Sequence, residues 1–172
     1  MLVSLSVNVF VRKIILKGYP TMKKYSLIFL FLISITLSAQ TKNVNYDSTL
    51  AKSLGADEYG MKNYVLVILK TGPAVIENKT KRDSLFAGHM ANISRLAKEG
   101  KLIVAGPFNK NDFKWRGLFI LNVKTVEEAK ELVETDPTVK AKIFDVDLVP
   151  WYGSAALSEY LKVDEKIHRM SH

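Results

Sequence analysis

From Tyr64 onward the chain switches between two periods of apolar and polar positions. "YVLVILK", Tyr64 to Lys70, is an almost continuous β-branched and apolar run, which predicts a central strand covered on at least one face. Thr71-Gly72-Pro73 breaks it. Leu85, Phe86, His89, Met90, Ile93, Leu96 and Ala97 then recur at three and four residues, so a helix with one buried stripe is expected. Thr80 and Asp83 stand at capping-box spacing before it, and Gly100 follows as a stop. "KLIVAGPF", Lys101 to Phe108, reads as a second strand ending at Gly106-Pro107. The polar "NKNDFKW" has hairpin length, and "RGLFILNV", Arg116 to Val123, returns as a third strand. Thr125 can cap a second helix with Val126, Ala129, Lys130 and Val133 on one side, closed by Pro137. "IFDVDLVPWYG", Ile143 to Gly153, supplies the fourth strand.

The order strand, helix, strand, strand, helix, strand predicts an α+β fold. Two split βαβ units give a ferredoxin-like βαββαβ sandwich, with a four-stranded antiparallel sheet and both helices on one face. In the fourth strand Phe144, Val146 and Leu148 alternate with Asp145, Asp147 and Val149, so one face is apolar and the other mixed. The apolar first strand favours covering that second face with another copy, as a homodimer closed into an α/β barrel.

The ends of the chain differ from this domain. Residues 40–61 are small and polar and read as a linker, with one helical turn around Ser48 to Leu54, and residues 154–172 as a C-terminal tail. "MKKYSLIFLFLISITLSAQ", from Met22, has the parts of a secretory signal over 22–39. It offers Lys23 and Lys24, then an uncharged apolar run from Tyr25 to Leu37, then small Ser38 and Ala39. That run is shorter than the roughly 20 residues that cross a bilayer, so cleavage near Ala39 is expected rather than a retained anchor. The mature chain is then periplasmic or secreted, with no membrane contact after cleavage. A signal opens a chain, so Met22 reads as the start and residues 1–21 as an upstream extension of the gene model; the alternative is a long n-region in which "VFVRKIILKG" helps membrane engagement.

Charge changes little once this segment is set aside. The net charge is +8, but residues 1–39 hold five of the 25 Lys and Arg and no acidic residue. From Gln40 onward 20 basic residues face 17 acidic ones, a balance of +3 that points to no nucleic-acid partner. There is no cysteine, hence no disulfide, thiol chemistry or lipid-acceptor cysteine.

Little in the chain carries chemistry. The imidazole of His89 can act as acid or base, although an imidazole on an apolar stripe is also an ordinary core residue. Asp136 precedes Pro137, a pairing common where a helix stops; in the expected fold both helices lie on one sheet face, so its carboxylate could reach His89 and fix its tautomer. Gly106 and Pro107 end the second strand beside the helix layer, where glycine would let a ligand approach closely. Trp115 and Trp151 could line a pocket or serve packing. No phosphate loop, nucleophile elbow or metal-ligand spacing is present, so no cofactor or metal is expected. His168 and His172 in "HRMSH" carry no assigned function.

"HMANISRLAKEG" runs directly into "KLIVAGPF", and an E-E-A-containing helix and "TDPTVKAKIFDVDLVPW" follow in order. With these motifs, roughly Lys62 to Gly153 resembles the YciI-like family of small ferredoxin-like proteins. The resemblance implies a dimeric αβ-barrel in which the family's His falls on His89 and its Asp-Pro aspartate on Asp136, a pair regarded as catalytic in a cleft. Some relatives perform small-molecule chemistry such as dehalogenation of aromatic compounds, and most have no assigned reaction. Arginine is common ahead of the family's His, where this sequence has Lys79, Lys81 and Arg82. An export signal also departs from a family associated mainly with the cytoplasm. The expectation is an exported protein whose His89 and Asp136 perform general acid/base chemistry on a small organic molecule. The alternative is a non-catalytic ligand-binding or structural dimeric module of the cell envelope.

Overall fold

Alternating apolar positions build a four-stranded antiparallel sheet in the computed structural model, which describes residues 43–167 and Arg169. The chain divides into two units, Met1–Tyr46 and Asp47–His172, and the elements below belong to the second. The expected signal segment, its cleavage point near Ala39, His168 and His172 lie outside the described residues.

Strand β1 (Met61–Thr71) is central and β2 (Leu102–Pro107) is an edge; β3 (Trp115–Leu121) and β4 (Phe144–Ser154) flank β1, in the order β2-β3-β1-β4. β1 extends past its apolar run at both ends because pairing with β4 continues from Met61 opposite Ser154 to Thr71 opposite Phe144. The connections are helical: α1 (Ser48–Leu54) precedes β1, α2 (Lys79–Lys98) follows it, and α3 (Val126–Val133) and the one-turn α4 (Pro137–Lys140) join β3 to β4. This is the ferredoxin-like βαββαβ arrangement. The helical turn expected at Ser48 to Leu54 forms, capped by the Asp47 carboxylate on the amides of Thr49 and Leu50.

Val65, Val67 and Leu69 of β1 meet Phe119 and Leu121 of β3, Phe144 of β4, Leu96 of α2 and Ala129 and Val133 of α3 in one core. Each fully buried aliphatic side chain there is worth about 1.5–3 kcal/mol. Both major helices therefore cover the same sheet face.

Three local expectations are corrected. The α2 cap is Asn78, whose side chain accepts from the Lys81 amide, and Thr80 lies inside the helix. Met90 points outward at 46% exposure, while polar Asn92 takes an inward position. Pro137 does not close the second helix: α3 ends at Val133, and Pro137 opens α4 at the first helical position, where its missing N–H costs nothing. The stop at Gly100 stands. Its φ is +67°, its amide donates to the Ala97 carbonyl and that of Lys101 to Leu96, the two bonds of a Schellman motif.

The segment after Gly153 is also more ordered than a tail. A 3₁₀ turn (Ala155–Glu159) leads into α5 (Tyr160–Ile167). Tyr64 lies beneath this turn, wholly buried, with its hydroxyl donating to the Ser154 carbonyl at 2.8 Å and its ring against Trp151. Lys62 donates to the Leu54 carbonyl and Ser158 Oγ, tying α1 and the 3₁₀ turn to β1. Among the described residues no helix is long and apolar enough to cross a membrane.

Candidate active site

α2 delivers His89 to the core side of the helix layer, where the residue keeps 8% of its exposure. The turn between α3 and α4 delivers Asp136, which keeps 1%. The local sequence Thr135-Asp136-Pro137-Thr138 explains how that carboxylate is aimed. Asp136 is the N-cap of α4, and its Oδ1 accepts from the Thr138 amide at 2.8 Å and from the Thr138 hydroxyl at 2.6 Å. Both bonds fall on one oxygen. The other, Oδ2, lies 2.6 Å from His89 Nδ1, and the Thr138 hydroxyl lies 3.4 Å from the same nitrogen.

Burial alone would push the Asp136 carboxyl up, because it penalises the charged form. The hydrogen bonds from His89 and Thr138, with the imidazole's charge, outweigh this and hold it below the usual carboxylate value. Asp136 is therefore ionised at neutral pH and can only accept, so Nδ1 carries the proton and Nε2 of the neutral ring holds the lone pair.

Nε2 makes no hydrogen bond among the described residues, and no buried side-chain nitrogen or oxygen there lacks a partner. This nitrogen is consequently the solvent-reaching edge of the ring. Around it stand Phe119, stacked on the imidazole at 6.0 Å, and Phe144 and Phe86, edge-on at 5.6 and 6.3 Å. The ring thus has one nitrogen fixed on a buried carboxylate, its faces lined by phenyl groups and one basic nitrogen outward. That arrangement can take a proton from a bound molecule and return it.

The strand-end glycine and proline lie on opposite faces of the sheet. Ala105 pairs with Phe119, so it and Pro107, two residues on, share the face that carries the His89 collar; Gly106 pairs with Leu118 on the other face. The tryptophans are elsewhere: Trp115 stacks on Phe113 and lies tilted against Phe108 in the β2–β3 hairpin, and Trp151 covers Tyr64. Of the basic residues ahead of His89, Lys79 pairs with Asp83 and Arg82 donates to the Ile76 carbonyl.

Four polar residues of the site escaped the sequence reading. Thr138 is wholly buried, and Thr135, Asn92 and Arg95 form a second tie between α2 and the turn. Asn92 Oδ1 accepts from Arg95 Nη2 at 2.8 Å, and Arg95 also reaches Thr135 Oγ1 at 3.0 Å and Glu99 at 2.9 Å. Two signals were available: a threonine on each side of Asp-Pro, and polar residues three and six positions after His89. Among the described residues no group of three or more His, Asp and Glu could hold a metal ion.

Fold and pair together define an α+β ferredoxin-like domain with a buried carboxylate behind a histidine. The model of the YCII-related domain matches residues 63–152, just over half of the chain, and the chain belongs to that family. No match was found among curated proteins. Among solved structures, the chain is similar to 5-chloro-2-hydroxyhydroquinone dehydrochlorinase from Burkholderia phenoliruptrix AC1100, in complex with 2,5-dihydroxybenzoquinone. That likeness has 23% identity and a TM-score of 0.37, and covers 51% of this chain and 92% of the other.

Proposed function

We propose that the protein acts on a small organic molecule by general acid/base chemistry, with His89 as the group that moves the proton and Asp136 as its buried partner. The observation that carries this reading is the division of labour on one carboxylate: Thr138 occupies Oδ1, His89 Nδ1 occupies Oδ2, and Nε2 is left facing solvent. A substrate bearing an acidic C–H or O–H at Nε2 gives its proton to that nitrogen. The ring becomes imidazolium, the Asp136 charge 2.6 Å behind it stabilises the new cation, and the proton returns to the departing or rearranged group. The phenyl groups of Phe86, Phe119 and Phe144 suit an apolar or aromatic body on the molecule.

The family gives this reading its frame and no substrate. The experiment is a thermal-shift screen of small organic acids, phenols and activated halides on the mature domain, followed by NMR of each stabilising compound before and after incubation. Conversion by wild type, reduced about 100- to 10,000-fold in His89→Ala, supports the role. Equal turnover by His89→Ala overturns it, and stabilising compounds recovered unchanged leave a binding module instead.

Two parts of the proposal lie outside the site. Export rests on residues 22–39 and is tested by sequencing the mature N-terminus, where a product retaining Met1 overturns it. Self-association rests on the second sheet face.

A further inference from the structure

We infer that Gly88 is a positioning residue: its missing side chain lets the Pro137 ring lie against α2 and so sets the approach of Asp136 to His89. The inference rests on reading that pair as the reacting groups. Gly88 sits inside a helix and is not among the glycines with positive φ, which are Gly55, Gly60 and Gly100. Its backbone conformation therefore does not require glycine, which in a helix interior costs about 1 kcal/mol relative to alanine. What requires it is space. A Cβ at Gly88 would lie 2.9 Å from Pro137 Cγ, 3.5 Å from its Cβ and 3.9 Å from its Cδ, and these three atoms are its nearest neighbours. Carbon atoms in good contact stand about 3.5–4.0 Å apart, so the closest of them must give way.

The two residues in this contact each adjoin one member of the pair, Gly88 next to His89 and Pro137 next to Asp136. Further along α2, Asn92 and Arg95 hold Thr135, on the other side of Asp136. The turn is thus fixed to α2 at two points, an apolar one at Gly88 and a polar one at Asn92 and Arg95, and the carboxylate lies between them. A ring carbon pushed away from Gly88 moves the backbone of a proline, whose φ is locked, and carries Asp136 with it.

The test is Gly88→Ala in the full chain, read by the Asp136 carboxyl ¹³C titration, by the downfield Nδ1 proton of His89 and by thermal unfolding. With the turn displaced, Asp136 loses hydrogen bonds that lower its pKa but keeps the burial that raises it. Its midpoint should then rise from below the ordinary value toward or past about 3.9. The Nδ1 proton should move upfield or vanish into exchange, and adding Pro137→Ala should restore both signals. A folded Gly88→Ala with wild-type titration and Nδ1 proton overturns the inference, leaving Gly88 a packing position alone. Should Gly88→Ala not fold, a double variant that folds supports the Pro137 contact, and one that also fails overturns it. These signals read the geometry of the pair and not turnover, so an empty substrate screen leaves this inference standing, and its own failure leaves the acid/base reading untouched.

Discussion

Asp136 is a buried carboxylate kept ionised by three donors, and its linkage to stability follows from that balance. A carboxyl with a folded-state pKa below its unfolded value contributes stability that is fully present above the unfolded pKa, about 3.9, and is lost as pH falls through the folded one. Asp136→Asn should therefore destabilise the domain by about 1–3 kcal/mol at neutral pH, with the gap to wild type shrinking below about pH 4. Urea unfolding of both proteins across that range checks this, and a gap of constant size would mean that the carboxylate's charge is irrelevant. Thr138→Val separates the hydroxyl from the amide that shares Oδ1 with it. The isosteric change should cost about 1 kcal/mol and raise the Asp136 midpoint, whereas Thr138→Ser should leave that midpoint near wild type. An unchanged ¹³C titration in Thr138→Val would remove the hydroxyl from the site.

α2 marks how far a single sequence reaches. The strand–helix–strand order, the Gly100 stop and the alternation of β4 were all legible, because each is written in local spacing or in a backbone conformation only glycine adopts freely. Placing His89 and Asp136 on the same side of the sheet was legible too, since the fold order puts both helices there. Asn92 and Met90 were not. A stripe read from apolar identity assigns Met90 inward, but Asn92 is held by Arg95 on its own helix and by Thr135 from beyond it, and the Thr135 partner leaves no mark in the helical period. Pro137 was read as a stop although Asp-Pro both ends helices and begins them, and here it begins one. The two glycines of this region make a contrast that local spacing cannot supply. Gly100→Ala meets open space but must hold a φ of +67°, and should destabilise the domain by about 1 kcal/mol without altering the His89 and Asp136 signals. Gly88→Ala should alter those signals. Thermal unfolding alongside ¹³C titration of the two variants checks the pairing, and a Gly100→Ala that disturbs Asp136 would mean the helix end transmits to the site.

At the scale of the molecule, the sheet face opposite the helices remains unevenly covered. Its Tyr64 end lies under the 3₁₀ turn, but Leu66, Ile68, Leu118 and Ile120 are only half-buried, and Val149 and Trp151 are 45% and 37% exposed. Leu66 pairs with both Ile120 and Val149, and Ile68 with Leu118, so these side chains form one contiguous apolar surface across three strands. The Lys70–Asp147 ion pair at 2.6 Å borders it and offers polar contacts at a rim. The proposed self-association would bring the same patch of a second copy onto this one about a two-fold axis. Light scattering should give twice the mass of one chain for wild type. Val149→Asp places a charge on the patch and should give a monomer with unchanged far-UV circular dichroism, since an exposed strand position tolerates aspartate in the isolated fold. A monomeric wild type at about 100 μM, or a Val149→Asp dimer as stable as wild type, overturns the dimer. If the monomeric variant also lost the downfield Nδ1 proton of His89, the two sheet faces would be coupled. The geometry gives no reason to expect that, because the Asp136 anchors all come from α2 and α4, on the face away from the patch.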